Sequence, residues 1–130
     1  MKKSALITLG IAGLLAATAA WAGYKGTWPV YVDTLNRTAG GSLGSTRNST
    51  DSSQYIGCYT YAYSSGSEYA LCIASTSAGA YASCWSSVPQ IINVVRSLNG
   101  DGYVYFRYDT GGQCTYVEVQ NYSTLEPKAL

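Results

Sequence analysis

The sequence predicts an α+β fold: a small, mainly antiparallel β-sheet of about five strands, with one packed α-helix at about 88–99 and stabilising disulfides. Three observations predict this class. Apolar residues follow helical spacing near residue 91, alternate at period two in several short segments, and share the chain with four cysteines. The chain has 130 residues, of which the part after an export signal is long enough for one domain.

The predicted helix has the clearest pattern. Its apolar residues recur at the i, i+3, i+4 and i+7 spacing of one helical stripe, at Ile91, Val94, Val95 and Leu98. Ser87 and Gln90 have the spacing of a capping box, and Pro89 suits the first helical turn, where no N–H is needed. Gly100 can adopt the left-handed conformation that often follows a helix end. These signals bound the helix at about 88–99.

Five segments show the period-two alternation of β-strands. They are residues 28–33, 54–63, 68–74, 103–108 and 115–119. The turn sequences 64–67 and 109–112 join two pairs of these segments, so each pair is expected to form a hairpin. Pro29 has no N–H to donate, so the first strand is expected at a sheet edge or to begin at this proline.

Residues 38–53 are predicted to form a long loop rich in Ser, Gly and Thr. Leu43 is nearly the only apolar side chain in this segment. A segment that can bury so little apolar surface does not offset the entropy lost when its backbone is ordered. We therefore expect a mobile loop or linker here.

Residues 1–22 are predicted to be a signal peptide. Lys2 and Lys3 give a basic start, an apolar run follows, and residues 20–22 have the small-x-small pattern of a cleavage site. The apolar run is shorter than the roughly 18 to 20 residues that span a bilayer. The sequence therefore predicts export to the periplasm or the extracellular space, a single domain at 23–130, and no integral membrane anchor after signal cleavage.

The charge of the exported part argues against nucleic-acid partners. Without Lys2 and Lys3, six basic residues remain against seven acidic ones, which gives a net charge of −1. Proteins that hold nucleic acid or anionic membranes usually carry a basic surface, and this balance does not supply one. We therefore expect no nucleic-acid partner.

The four cysteines, Cys58, Cys72, Cys84 and Cys114, are predicted to form two disulfides. An even count in an exported chain without histidine favours this state. A zinc site is the weaker interpretation, because no pair has C-x-x-C spacing and no histidine completes a mixed ligand set; no metal and no cofactor are predicted. The favoured pairing joins Cys72 to Cys84 across the turn between them. It also joins Cys58 to Cys114, which ties the first hairpin to the last strand.

The last hairpin leaves its register open. If Tyr108 lies opposite Gln113, Cys114 falls on the same face as Tyr103 and Tyr105. A disulfide-bonded cysteine on that face requires either that the face is partly covered or that the turn contains a bulge. In the same register Tyr105 lies opposite Tyr116.

Few residues are suited to catalysis. The absence of histidine excludes Ser-His-Asp and Cys-His nucleophilic systems, and disulfide-bonded cysteines cannot act as nucleophiles. A carboxylate pair, as in glycosidases, remains. The acidic residues are Asp33, Asp51, Glu68, Asp101, Asp109, Glu118 and Glu126. Their positions are those of ordinary turns and strand surfaces, so no catalytic residue is assigned.

Tyrosine is the unusual residue of this chain, with 13 copies against a single phenylalanine. Sheet packing is the simpler interpretation. The functional interpretation is a recognition face, because rigid rings with a polar tip give contact area at low entropic cost. The candidate binding residues are Tyr103, Tyr105, Arg107 and Tyr116 on the last hairpin, and Tyr59, Tyr61 and Tyr63 on an earlier strand.

Three functions follow from these patterns. The first is a small, exported, non-enzymatic binding or surface-interaction protein, whose tyrosine-rich sheet face holds a glycan, a cell-surface polymer or a protein partner. The alternative is a structural or self-assembling extracellular protein, favoured by edge strands and low charge. A carboxylate-based hydrolase is the least favoured of the three.

Overall fold

The computed structural model describes residues 23–130, and the predicted signal peptide, residues 1–22, lies outside them. The described chain contains seven strands and two helices. In chain order they are β1 (Tyr31–Asp33), β2 (Thr38–Ser42), α1 (Leu43–Asn48), β3 (Tyr55–Ala62), β4 (Glu68–Ser75), β5 (Tyr81–Ser86), α2 (Pro89–Arg96), β6 (Tyr103–Tyr108) and β7 (Cys114–Gln120). Neither described helix has the length and apolar character that a membrane crossing requires.

The strands form two antiparallel sheets. The order is β1-β2-β6-β7 in the four-stranded sheet and β3-β4-β5 in the three-stranded sheet. The predicted class, α+β with mainly antiparallel strands and disulfides, is confirmed, and both predicted hairpins are present as β3-β4 and β6-β7. The prediction of about five strands in one sheet was wrong, because β2 and β5 are additional strands and the set divides between two sheets.

Much of the predicted loop at 38–53 is instead a central strand followed by a helix. β2 pairs with β1 on one side and β6 on the other, and most of it is buried. Its small residues allow this, because a larger neighbour fills the space above them: a Cβ at Gly40 would lie 2.6 Å from the Tyr103 hydroxyl oxygen. α1 follows directly, and the Ser42 hydroxyl caps it by accepting a hydrogen bond from the Ser45 N–H. The prediction of a loop was therefore wrong: this segment has few apolar side chains of its own, but the side chains of neighbouring residues cover its backbone.

α2 confirms the predicted helix but is shorter than the predicted 88–99. It begins at Pro89, and Val88 precedes it with no side-chain cap, so the predicted capping box of Ser87 and Gln90 does not form. The rigid ring of Pro89, already set for helical φ, is the start signal that remains.

The core lies between the two sheets and α2. Its buried apolar residues are Val30, Ala39, Ala70, Cys72, Ala74, Ala82, Cys84, Ile92, Val95, Val104, Phe106, Cys114 and Val117. Ile92 is a buried residue of α2 that the predicted stripe missed, and Ile91 and Val94 of that stripe pack only partly against the core. The β3-β4-β5 sheet contributes only alanine and cysteine to the buried set, and most of its large side chains lie on its other face.

The four cysteines form two disulfides, but the favoured pairing was wrong. The bonds are Cys58–Cys72 and Cys84–Cys114. Cys58, Cys72 and Cys84 lie opposite one another in one row across β3, β4 and β5, so Cys72 has a cysteine on each side. Sequence spacing could not show which neighbour it uses. Two disulfides fit a protein that folds outside the reducing cytosol.

A bulge explains how the last cysteine reaches the core. The register of β6 and β7 shifts between Arg107 and Tyr108, so that Tyr108 pairs with Cys114 while Arg107 pairs with Tyr116. Cys114 is consequently buried and bonds to Cys84 of the other sheet. The bulge is one of the two alternatives that the sequence left open, and it also overturns the expected pairing of Tyr105 with Tyr116.

The C-terminal tail is held against α1. The Asn48 side chain donates a hydrogen bond to the Pro127 carbonyl oxygen at 2.8 Å and accepts one from the Ala129 N–H at 2.7 Å. Gly44 faces the same tail, and a Cβ there would overlap the Glu126 carbonyl oxygen. The tail can dock in this position only because residue 44 has no side chain.

Candidate functional site

The outer face of the β3-β4-β5 sheet carries a cluster of aromatic rings, which we call the tyrosine platform. Its members are Tyr59, Tyr61, Tyr63, Tyr69 and Trp85. Tyr61 and Tyr69 lie opposite each other in the strand register, and their rings stack with centroids 5.4 Å apart. Trp85 extends the cluster to β5, with its ring centroid 6.2 Å from that of Tyr69. The platform thus spans all three strands.

Strand alternation places these rings outside. In β3, Tyr59 and Tyr61 share one face, while Cys58 points to the other and bonds to Cys72. Tyr59, Tyr61, Tyr63 and Trp85 are exposed, with fractions from 38% for Tyr61 to 61% for Tyr63, and Tyr69 is partly buried between them. The result is a broad surface on which an apolar ligand face can rest.

The polar atoms of the platform have no partner within the described chain. Among the hydrogen bonds of residues 23–130, none involves a platform hydroxyl or the Trp85 indole N–H. Reduced hydration, followed by the neighbouring tyrosine hydroxyls, raises the pKa of Tyr61 above its usual range. Its phenol therefore stays neutral and can both donate and accept a hydrogen bond.

The platform lies in an almost uncharged part of the chain. Between Asp51 and Arg96 the sequence contains one charged residue, Glu68. Glu68 accepts a hydrogen bond from the Arg96 guanidinium at 2.9 Å, so its charge is paired. A ligand on the platform would meet rings, hydroxyls and small side chains, and no unpaired charge from these strands.

The four-stranded sheet carries a second aromatic group, which we call the arginine cluster. It contains Tyr105, Arg107, Tyr116 and Glu118. The Arg107 guanidinium lies over the rings of Tyr105 and Tyr116, at 5.6 and 5.3 Å from their centroids. Arg107 also donates to the Tyr105 hydroxyl at 2.7 Å, and the Tyr116 hydroxyl donates to Glu118 at 2.9 Å.

The arginine cluster differs from the platform because its polar groups already bond to one another. The hydrogen bond that Arg107 donates to the Tyr105 hydroxyl is the main reason that the pKa of Arg107 is raised. The hydrogen bond to Glu118 likewise raises the pKa of Tyr116. A ligand here would compete with these internal contacts, which lowers the net gain from binding.

Tyr103 is separate from both groups. It is half-buried, and its ring packs edge-on against that of Trp28, with the ring centroids 6.0 Å apart. Its hydroxyl lies with that of Tyr31 above Gly40. Burial, together with the adjacent Tyr31, raises the pKa of Tyr103 far above its usual range. Its position is that of a packing residue.

The seven candidate binding residues therefore do not form one surface. Tyr59, Tyr61 and Tyr63 lie on the platform, whereas Tyr103, Tyr105, Arg107 and Tyr116 lie on the other sheet. Sequence reasoning missed Tyr69 and Trp85. The four-residue turn at 64–67 places Tyr69 opposite Tyr61, so the hairpin pattern could have identified it. Trp85 lacked such a signal, because β5 has only small residues on its buried face and shows no clear alternation.

The acidic residues serve local structure. Each of the seven carboxylates accepts a hydrogen bond or pairs with an arginine. A cleft of about 510 Å³ beside α1 contains one carboxylate, Asp51, which holds Ser53 and Gln54 and whose pKa these bonds lower. Within residues 23–130 no group of His, Cys, Asp or Glu is arranged to hold a metal.

Burial of Tyr103 leads to a pH prediction. In the unfolded chain its pKa is about 10, so above that pH the unfolded state releases a proton that the folded state keeps. The free energy of unfolding is therefore expected to fall as pH rises from about 9 to about 11. Tyr103→Phe should make this fall less steep, as measured by urea unfolding at each pH. The exposed Tyr122→Phe serves as control, and identical slopes for Tyr103→Phe and the unchanged protein would contradict the prediction.

The platform is thus an accessible aromatic surface whose polar atoms have no partner among residues 23–130, whereas the arginine cluster is internally bonded. Comparisons of this chain with protein-family models, curated proteins and solved structures found no match.

Proposed function

We propose that this protein is an exported, non-enzymatic binding module that holds a neutral glycan on its tyrosine platform. The observation that carries the proposal is the combination of five contacting rings, four of them exposed, with hydroxyls that have no partner within the described chain. Ring faces can stack on the C–H face of a sugar, while the phenol and indole groups bond to sugar hydroxyls. The platform therefore offers partners for both the C–H face and the hydroxyl groups of a sugar.

Charge supports a neutral rather than an ionic glycan. Glu68 is the single charged residue of the β3-β4-β5 sheet, and it is paired with Arg96. An acidic sugar would have to lose hydration without meeting a cation on the platform, which is unfavourable. An uncharged array of tyrosine and tryptophan suits a polymer whose repeat presents hydroxyls alone.

Export is part of the proposal. The predicted signal peptide at 1–22 would deliver the chain to a compartment in which the two disulfides can form. The periplasm and the extracellular space both meet this condition, and both contain polysaccharides.

The test is capture of the oxidised protein on immobilised glycans, with two matched double variants. Tyr69→Ala with Trp85→Ala removes two platform rings, each expected to contribute about 1 kcal/mol to binding. Capture on neutral glycans is therefore expected to fall by at least about tenfold. Tyr105→Ala with Tyr116→Ala removes two rings from the arginine cluster and is expected to leave capture unchanged.

Three outcomes would contradict the proposal. One is capture by carboxylated or sulfated glycans alone, and another is loss of capture in the arginine-cluster variant alone. The third is binding to a protein partner with no glycan captured at all. Thermal unfolding of both variants checks that each remains folded.

A further inference from the structure

β3 is the outer strand of the three-stranded sheet; α1 and α2 contact it, but no described backbone group bonds to its outward edge. The edges of the four-stranded sheet are β1 and β7. β1 is only three residues long, and α2 packs against β7. The edge of β5 contacts the turn of the β6-β7 hairpin, because the backbone N–H of Trp85 donates a hydrogen bond to the Gly112 carbonyl oxygen at 3.1 Å. β3 is eight residues long and pairs with β4 alone.

The outward backbone groups of β3 can be identified from its register. Cys58 and Cys72 are directly opposed with Cα atoms 4.1 Å apart, the short spacing of a pair that exchanges no backbone hydrogen bonds. The N–H and C=O of Cys58 therefore point away from β4, as do those of Ile56, Thr60 and Ala62 at period two. Within residues 23–130, none of these groups bonds to the backbone of another element.

β3 also lacks the devices that protect natural edge strands. Such strands usually carry lysine, proline or a bulge that blocks pairing with another chain. Residues 52–67 contain no charged residue and no proline, and the β3-β4 register is regular throughout. The edge is therefore a template for a further strand.

We propose that the occupant of this edge is β3 of a second copy of the chain, in an antiparallel pair with a two-fold axis at Tyr59. In this register Cys58 lies opposite Thr60 of the second copy, and Ile56 lies opposite Ala62 of the second copy. Every outward N–H and C=O of both strands is then satisfied. Because β3 has no charge, this self-complementary contact brings no like charges together.

Gly57 supports this register. It lies on the platform face, and a Cβ built there would meet no atom within 4 Å, so space is open above it. The two-fold pairing places Tyr61 of the second copy opposite Gly57. An aromatic ring that covers an edge glycine is a known stabilising cross-strand pair. The two platforms become one continuous aromatic face on a six-stranded sheet.

The test is sedimentation of the oxidised protein, purified from cells that express the full chain, over a range of concentrations. The unchanged protein is expected to form a dimer. Gly57→Lys fills the open space and brings two lysines near the axis, so the dissociation constant is expected to rise at least about tenfold. The folded monomer should tolerate it, since glycine weakens a strand and the added side chain meets open space.

Ser83→Lys is the matched control, because it adds the same charge in the same row and on the same face, but on β5. It is expected to leave the dimer intact. A monomer at all concentrations, a dimer that survives Gly57→Lys, or equal weakening by both lysines would each overturn the proposal. So would a monomer that pairs only with an added extended peptide from another protein.

Discussion

Replacing Cys84 and Cys114 together by alanine is expected to lower the free energy of unfolding by about 4 kcal/mol, given a loop of 30 residues. Replacing Cys58 and Cys72 together is expected to cost about 3 kcal/mol, because that bond closes a loop of 14 residues. Domains of this size have total stabilities of about 5–15 kcal/mol. The first double variant is therefore expected to lose a large share of its stability.

The position of the Cys84–Cys114 bond adds to this expectation. It joins β5 of one sheet to β7 of the other, and the buried residues that the β3-β4-β5 sheet offers at this junction are small. Both cysteines of a bond have to be replaced together. A single replacement would leave a free thiol, and a thiol at Cys84 lies opposite Cys72, where disulfide exchange could restore a bond.

Urea unfolding of the two double variants measures the difference. The midpoint is expected to fall further for the variant that lacks the bond between the sheets. An equal fall in both, or a larger fall without Cys58 and Cys72, would show that the bond between the sheets is not the main covalent support of the fold.

Gly44→Ala is expected to destabilise the protein by about 3 kcal/mol. In an ordinary helix interior the same change stabilises by about 1 kcal/mol, since alanine restricts the unfolded chain. The sign is reversed here because a Cβ at this position would overlap the Glu126 carbonyl oxygen. Either the tail or α1 has to move, and the hydrogen bonds between Asn48 and the tail are lost.

A truncated chain provides the control for this prediction. With residues 126–130 removed, Gly44→Ala meets no carbonyl oxygen and is expected to be neutral or stabilising in urea unfolding. The same loss of stability in the full and the truncated chain would mean that the tail is not the cause. Stabilisation in the full chain would contradict the docked position of the tail itself.

The sequence predicted those elements whose signals lie within a short stretch of the chain. α2 and both hairpins carry their periodicity and turn residues within a short stretch, so their types and approximate positions could be read from the sequence. β2 could not, because its Ala-Gly-Gly core is ordered by Tyr31 and Tyr103 from other parts of the chain. The disulfide pairing failed for a related reason: Cys72 has a cysteine on both sides, and a bulge sets the partner of Cys84.

The aromatic site was predictable residue by residue but not as a surface. Alternation identified Tyr59, Tyr61 and Tyr105 as residues of strand faces, and all three are on outer faces. Their division between two sheets depends on long-range pairing, which no local pattern encodes. Trp85 was missed because β5 lacks large alternating residues on its buried face, where Ala82 and Cys84 lie.

The central claim is that the tyrosine platform, and not the arginine cluster, is the contact surface. The most direct measurement compares the dissociation constants of the two double alanine variants for one neutral glycan. The account predicts a value at least about tenfold higher for Tyr69→Ala with Trp85→Ala than for Tyr105→Ala with Tyr116→Ala. Equal values, or the reverse order, in folded and oxidised variants would contradict it.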